Sequence, residues 1–125
     1  MENGNVLVVE DDLEINQLVG AYAEIAGFDY RSALDGATAL RQARERQPSL
    51  IVLDLMLPDI DGFAVCKQLK SEERTRKVPI LMLTALDRDE HRRKGMECGA
   101  AAYITKPFDP DHLMQTIIDT ATPSH

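Results

Sequence analysis

The sequence predicts a three-layer α/β sandwich, a five-stranded parallel sheet covered by five helices. Three apolar runs carry that prediction, at residues 6–9, 50–53 and 80–83, each of strand length and each ending in polar or turn residues. Uninterrupted apolarity of that length marks a strand covered on both faces. Strand-like and helix-like stretches then alternate five times with short connections, the pattern of a parallel sheet with crossover helices.

The first strand is Val6-Leu7-Val8-Val9, stopped by Glu10-Asp11-Asp12. Ile15, Leu18, Val19, Tyr22 and Ala26 follow at spacings that share one helical face, and Gly27 suits a helix stop. Residues 28–33 alternate in character, which reads as a half-exposed edge strand. A second helix carries Ala37, Leu40 and Ala43 and ends before Pro48. The central strand 50–53 runs into Asp54 and a Pro58-Asp59-Ile60-Asp61-Gly62 turn cluster. A third helix starts near Asp61 and Gly62, burying Phe63, Cys66 and Leu69. A basic loop, 70–77, leads through Pro79 to the strand 80–83, which ends in Thr84-Ala85.

Asp87 with Glu90 resembles a capping box for a fourth helix over 87–98, very polar, with Met96 as its apolar anchor and Gly99 as its end. Residues 100–104 make a small-residue strand leading to Thr105-Lys106-Pro107-Phe108. Asp109 as N-cap and Pro110 at the first helical position open a last helix carrying Leu113, Met114, Ile117 and Ile118. The edge-like second strand fits the doubly wound, flavodoxin-like order 2-1-3-4-5, with its switch point between strands 1 and 3. The expected organisation is one domain over 1–125, with a core of about 5–121 and a tail or linker stub at 122–125.

A chain of 125 residues, 44% hydrophobic and 28% charged, supports one globular core. Its net charge of −7 argues against nucleic acid or an anionic membrane as the main partner. Arg88, Arg92, Arg93 and Lys94 cluster, but Asp87, Asp89 and Glu90 are interleaved with them, as on a solvated helix face. Cys66 and Cys98 are too few for a disulfide framework and have no zinc-like spacing. The N-terminus lacks a basic leader, and no apolar run is long enough to span a membrane. The expectation is a soluble, cytoplasmic protein.

In a sheet of this order the C-terminal strand ends meet along one edge. Strand 1 delivers Asp11 and Asp12, strand 3 Asp54, strand 4 Thr84 and strand 5 Lys106. Each residue alone has an ordinary explanation, a helix cap, a turn or a surface lysine; their convergence does not. Two carboxylates roughly 5 Å apart repel by about 3 kcal/mol at an effective dielectric near 20. An all-oxygen cluster open to water suits Mg²⁺. A carboxylate nucleophile, a hard cation, a lysine and a hydroxyl together suit phosphoryl transfer to Asp54.

The segments Val8–Asp12, Asp54–Gly62, Thr84-Ala85 and Tyr103–Phe108 also resemble the signature of the receiver domain of two-component response regulators, in order and spacing, from Asn5 to about Ala121. The resemblance implies that Asp54 accepts a phosphoryl group from a sensor histidine kinase, a histidine phosphotransfer protein or a small acyl phosphate. It implies that Asp12 and Asp54 bind Mg²⁺ directly, with Asp11 acting through water and the Met56 carbonyl as a further ligand. Lys106 would pair with Asp54, and the Lys106–Pro107 bond would be cis. Thr84 would move toward the phosphoryl group and Tyr103 would turn inward behind it. The small Ala85 would leave the phosphoryl group room to enter.

The expected output is a changed surface of helix 4, strand 5 and helix 5, controlling a downstream protein or a covalently linked output domain. Family members that dimerise through this face often carry an acidic pair and an arginine where this chain has Ala101, Ala102 and Asp111, so that dimer is not expected. Met56 and Leu86 flank the site and, being apolar, cannot orient a hydrolytic water, so the phosphoryl group is expected not to be especially short-lived. On this reading the domain is no enzyme beyond its own phosphorylation and dephosphorylation.

Three other readings compete. An FMN binder of the same topology needs a hydroxyl-rich phosphate loop where Glu10-Asp11-Asp12 would repel phosphate. A phosphohydrolase with an aspartate nucleophile wants an acid two residues after Asp54, where Met56 stands. The serious alternative is a receiver-like protein-binding module that is never phosphorylated.

Overall fold

The computed structural model describes residues 4–121. Five strands, β1 (Asn5–Val9), β2 (Asp29–Ala33), β3 (Leu50–Leu53), β4 (Ile80–Thr84) and β5 (Ala102–Thr105), alternate with α1 (Leu13–Ile25), α2 (Gly36–Glu45), α3 (Gly62–Ser71), α4 (Asp89–Glu97) and α5 (Pro110–Thr120). The strands form one sheet in the order β2-β1-β3-β4-β5, every neighbouring pair parallel. The expected tail at 122–125 lies outside the described residues.

Strand side chains alternate between two cores. Leu7, Val9, Ile51, Leu53, Ile80 and Met82 face α2 and α3, packing with Ala39, Leu40, Phe63, Val65, Cys66 and Leu69. Val6, Val8, Leu50, Val52, Leu81, Leu83 and Ile104 face α1 and α5, packing with Val19, Ala23, Leu113 and Ile117. Burial on both sides explains the unbroken apolar runs. Each fully buried Leu or Ile contributes roughly 1.5–3 kcal/mol of transfer free energy.

Four helices begin on an aspartate whose carboxylate accepts a first-turn amide: Asp12 from Ile15, Asp35 from Thr38, Asp61 from Phe63 and Asp109 from His112. The fifth departs from the sequence expectation. In α4 the N-cap is Arg88, with no side-chain cap, so the Asp87–Glu90 box does not form. Met96 is 52% exposed and anchors nothing; Gly95 is the one α4 residue that is buried. A Cβ there would lie 2.7 Å from Met82 Sδ and 3.0 Å from the Tyr103 ring, so α4 seats its bare backbone on these two side chains.

On α1, Ile15, Val19, Tyr22 and Ala26 pack on the core as expected, but one member of the expected face does not. Leu18 is 46% exposed, and Asn16 and Gly20 are buried instead. Asn16 is drawn inward because its amide donates to the carbonyls of Val8, Glu10 and Ala33, and its oxygen accepts from Tyr30 and Ser32. Gly20 is needed where the Tyr30 ring lies on the helix, 2.5 Å from where a Cβ would stand. Ala37 and Ile118 are likewise exposed, and β5 starts at Ala102 rather than at residue 100.

Candidate functional site

Backbone hydrogen bonds continue past the strands and hold their ends in register. Glu10 N–H donates to Ala33 O at 3.1 Å, Asp54 N–H to Val9 O at 3.0 Å, and Lys106 N–H to Thr84 O at 2.8 Å. The chain then turns sharply after each strand. Gly62 closes the loop after β3 by donating to Leu55 O at 3.1 Å, and a Cβ on it would stand 2.4 Å from Leu55 Cα. After β5 the Lys106–Pro107 bond is cis.

These ends bring Asp54, Lys106 and Glu10 together. Lys106 Nζ donates to Asp54 Oδ2 at 3.0 Å and also to Glu10 Oε1. Asp54 is 6% exposed and Glu10 4% exposed, so both carboxylates are nearly out of bulk water. The second Asp54 oxygen accepts from Met56 N–H at 3.1 Å, and Glu10 Oε2 accepts from Asp12 N–H at 3.1 Å. Burial pushes the Glu10 carboxyl up to about 7, against the opposing hydrogen bonds from Lys106 and the Asp12 amide, with the Asp54 charge adding to the rise. Burial would lower Lys106, but its hydrogen bonds to Glu10 and Asp54 outweigh that and raise it.

Among the described residues, the carboxylates that converge are Glu10, Asp11 and Asp54, each offering an oxygen within 4.8 Å of the others. Ionised pairs at that spacing repel by about 3 kcal/mol at an effective dielectric near 20. One ammonium does not balance three such charges. The exposed Asp11 side opens to water, so the group fits a hard cation that keeps part of its hydration shell.

This trio differs from the expected one. Asp12 faces α1, where its Oδ1 accepts from Ile15 N–H at 3.2 Å, because the first turn of a helix has amides without intrahelical partners. Glu10 stands in the cluster instead, a residue the sequence reading passed over. The signal was present: Val6, Val8 and Glu10 keep the two-residue alternation of β1, so Glu10 continues the same face.

Thr84 is fully buried at the end of β4, and its Oγ1 accepts from Leu86 N–H at 3.4 Å. Tyr103 lies inward, its hydroxyl donating to Leu86 O at 2.6 Å, with the Arg92 guanidinium 5.2 Å above its ring. Met56 is 57% exposed.

Fold and site define the class. The chain matches the family described as response regulator receiver domain over residues 6–118. It is 44% identical over 112 residues to the DNA-binding dual master transcriptional regulator RpaA of Synechocystis, covering 90% of this chain and 46% of that protein. It superimposes on the Francisella response regulator 1452 receiver domain with a TM-score of 0.88 and 34% identity, covering 94% and 96% of the two chains. The receiver domain of the sensor histidine kinase PA1611 from Pseudomonas aeruginosa, solved with magnesium in its active-site cleft, aligns with a TM-score of 0.86 at 27% identity over 94% and 97%. The chain belongs to the response regulator receiver domain family and spans about half the length of curated relatives such as RpaA, and about a quarter of the response regulator PleD of Caulobacter vibrioides. No described helix is long and apolar enough to cross a membrane.

Proposed function

We propose that this receiver domain is switched by a phosphoryl group carried on Asp54. The observation that carries this reading is the Lys106 ammonium bridging two nearly buried carboxylates, Asp54 and Glu10, at the open edge of the sheet. An Asp54 oxygen attacks phosphorus. The O–P bond forms as the bond to the leaving group breaks, a P–N bond in a phosphohistidine donor or a P–O bond in an acyl phosphate, and the leaving group keeps the electron pair. Lys106 holds the attacking carboxylate in place and neutralises oxygens of the incoming group.

Glu10, Asp11 and Asp54 are the carboxylates that would hold Mg²⁺, with the Met56 carbonyl as a further ligand. Bound there, the cation offsets charge that develops on the transferring phosphoryl group. Asp12 is left to its cap. Thr84 and Tyr103 carry the response: Thr84 reaches for the phosphoryl oxygens, releasing the Leu86 amide, and the surface of α4, β5 and α5 follows.

The donor is a sensor histidine kinase or a histidine phosphotransfer protein working in the cytoplasm. An apolar groove of about 460 Å³, lined by Ile15, Leu18, Tyr22 and Phe108, shares Lys106 with the site and gives such a donor a place to rest. The output is a protein partner or a linked domain.

Incubation with acetyl phosphate and Mg²⁺, followed by intact mass, tests this reading. The expected result is one phosphoryl adduct that requires Mg²⁺ and disappears in Asp54→Asn. No adduct, together with an unchanged amide spectrum on adding beryllofluoride, would leave a binding module that is never phosphorylated.

A further inference from the structure

Charge is unevenly distributed along this acidic chain. Residues 67–98 hold nine of its 14 Lys and Arg but only six of its 21 Asp and Glu, so an acidic body carries one basic edge. Two of those six acids are already engaged, Glu72 by Arg44 from α2 and Glu90 by Arg88. The basic edge also has a concave place. Lys67, Lys70, Ser71, Lys94, Glu97 and Cys98 line a cleft of about 440 Å³ between α3 and the end of α4.

Lys70 Nζ donates to the carbonyls of Arg76 and Val78, which joins the loop after α3 to the same surface. Lys94 lies over the Phe63 ring at 4.5 Å. Among the described residues, Lys67, Lys70 and Lys94 make no salt bridge. One wall is fixed, since α3 buries Gly62, Phe63, Val65, Cys66 and Leu69; the other is loosely held, since α4 buries Gly95 alone.

We propose that the α3–α4 cleft is a docking site for an acidic segment of a partner polypeptide. Lysines with apolar stems around a narrow cleft recognise carboxylates, and complementary charge speeds encounter. Glu97 in the lining favours the class, since it can accept backbone N–H groups of a peptide, donors that a phosphodiester chain lacks. The net charge of −7 also opposes a polyanion as long as a nucleic acid far more than a short acidic stretch. This site is separate from the Asp54 chemistry and does not depend on it.

The probe is an acetylated, amidated hexaglutamate titrated into the ¹⁵N-labelled chain, with a short oligothymidylate of matched charge alongside. Amide shifts should concentrate at 67–77 and 94–99. Affinity should weaken with salt, and should fall about tenfold in Lys67→Glu/Lys94→Glu while staying unchanged in Asp54→Asn. Lys67→Gln/Lys94→Gln gives the same readout in case charge reversal disturbs folding, and both variants should still take a phosphoryl group from acetyl phosphate. Shifts scattered over other basic residues such as Arg41 and Arg46, an affinity indifferent to both double variants, or equal binding of the oligothymidylate would overturn the proposal.

Discussion

Glu10 and Asp54 hold one ammonium between them, that of Lys106, although 44 residues of sequence separate the two carboxylates. A glutamate from β1 and an aspartate from β3 thus form one electrostatic unit. Asp12, the expected partner, caps a helix.

This difference makes a pair of substitutions informative. Glu10→Gln should weaken Mg²⁺ binding by about tenfold or more, as loss of groups around a metal site commonly does. Asp12→Ala should leave Mg²⁺ affinity nearly unchanged and lower stability by about 1 kcal/mol through loss of the α1 cap. Calorimetric titration and urea unfolding separate the two effects.

Gly95→Ala should disturb the switch without touching the carboxylates. The added methyl would meet Met82 Sδ at 2.7 Å and Tyr103 at 3.0 Å, so the ring must leave its place under α4 or the helix must lift. A stability loss of about 1–3 kcal/mol is expected from such overpacking. Aromatic NMR signals of Tyr103 should shift, while phosphorylation by acetyl phosphate persists.

Hydrogen exchange should find α4 less protected than α3, because one helix buries a single glycine and the other five residues. Phosphorylation should alter protection in α4 and β5 more than in α3. Equal protection in both helices, unaffected by phosphorylation, would contradict the assignment of the moving face.

Met56→Asn should shorten the phosphoryl lifetime. Met56 is 57% exposed beside the site and has no side-chain group that can hold a water. An amide there could orient one, and a single such interaction of about 1.4 kcal/mol in the transition state is a tenfold change in rate. The decay of the phosphorylated form, followed by intact mass, gives the comparison.

Asp59 predicts part of the acid limb of stability. Its carboxylate accepts from Gly36 N–H at 2.8 Å and Ala37 N–H at 3.0 Å, and these amide bonds hold it below its ordinary value of 3.8. A lowered acid contributes stability that is complete above the unfolded value and is lost as pH falls through the folded one. Asp59→Asn should flatten the decline of urea midpoints below about pH 4, with little change in the slope near neutrality.

Much of this was legible because the strands are buried on both faces: their apolar runs fix the sheet, and its order brings Asp54, Thr84 and Lys106 to one edge. Counting by twos would have gone further. Val6, Val8 and Glu10, then Leu50, Val52 and Asp54, then Ile104 and Lys106 share the α1–α5 face, while Ile80, Met82 and Thr84 continue toward the other. Asp12 misled because an aspartate before a helix serves a cap as well as a metal site. Leu18 and Met96 misled because apolar spacing cannot foresee that Asn16 finds buried partners or that a glycine carries the contact of α4.

The seating of α4 through Gly95 has an evolutionary consequence. A helix that meets the core through bare backbone asks only one position to stay small. Apart from His91, Arg92 and Lys94, which are half-buried or lie over the Tyr103 and Phe63 rings, its side chains are released from packing, so descendants of this chain can rewrite much of that surface for a new listener while the acidic site and the core stay unaltered.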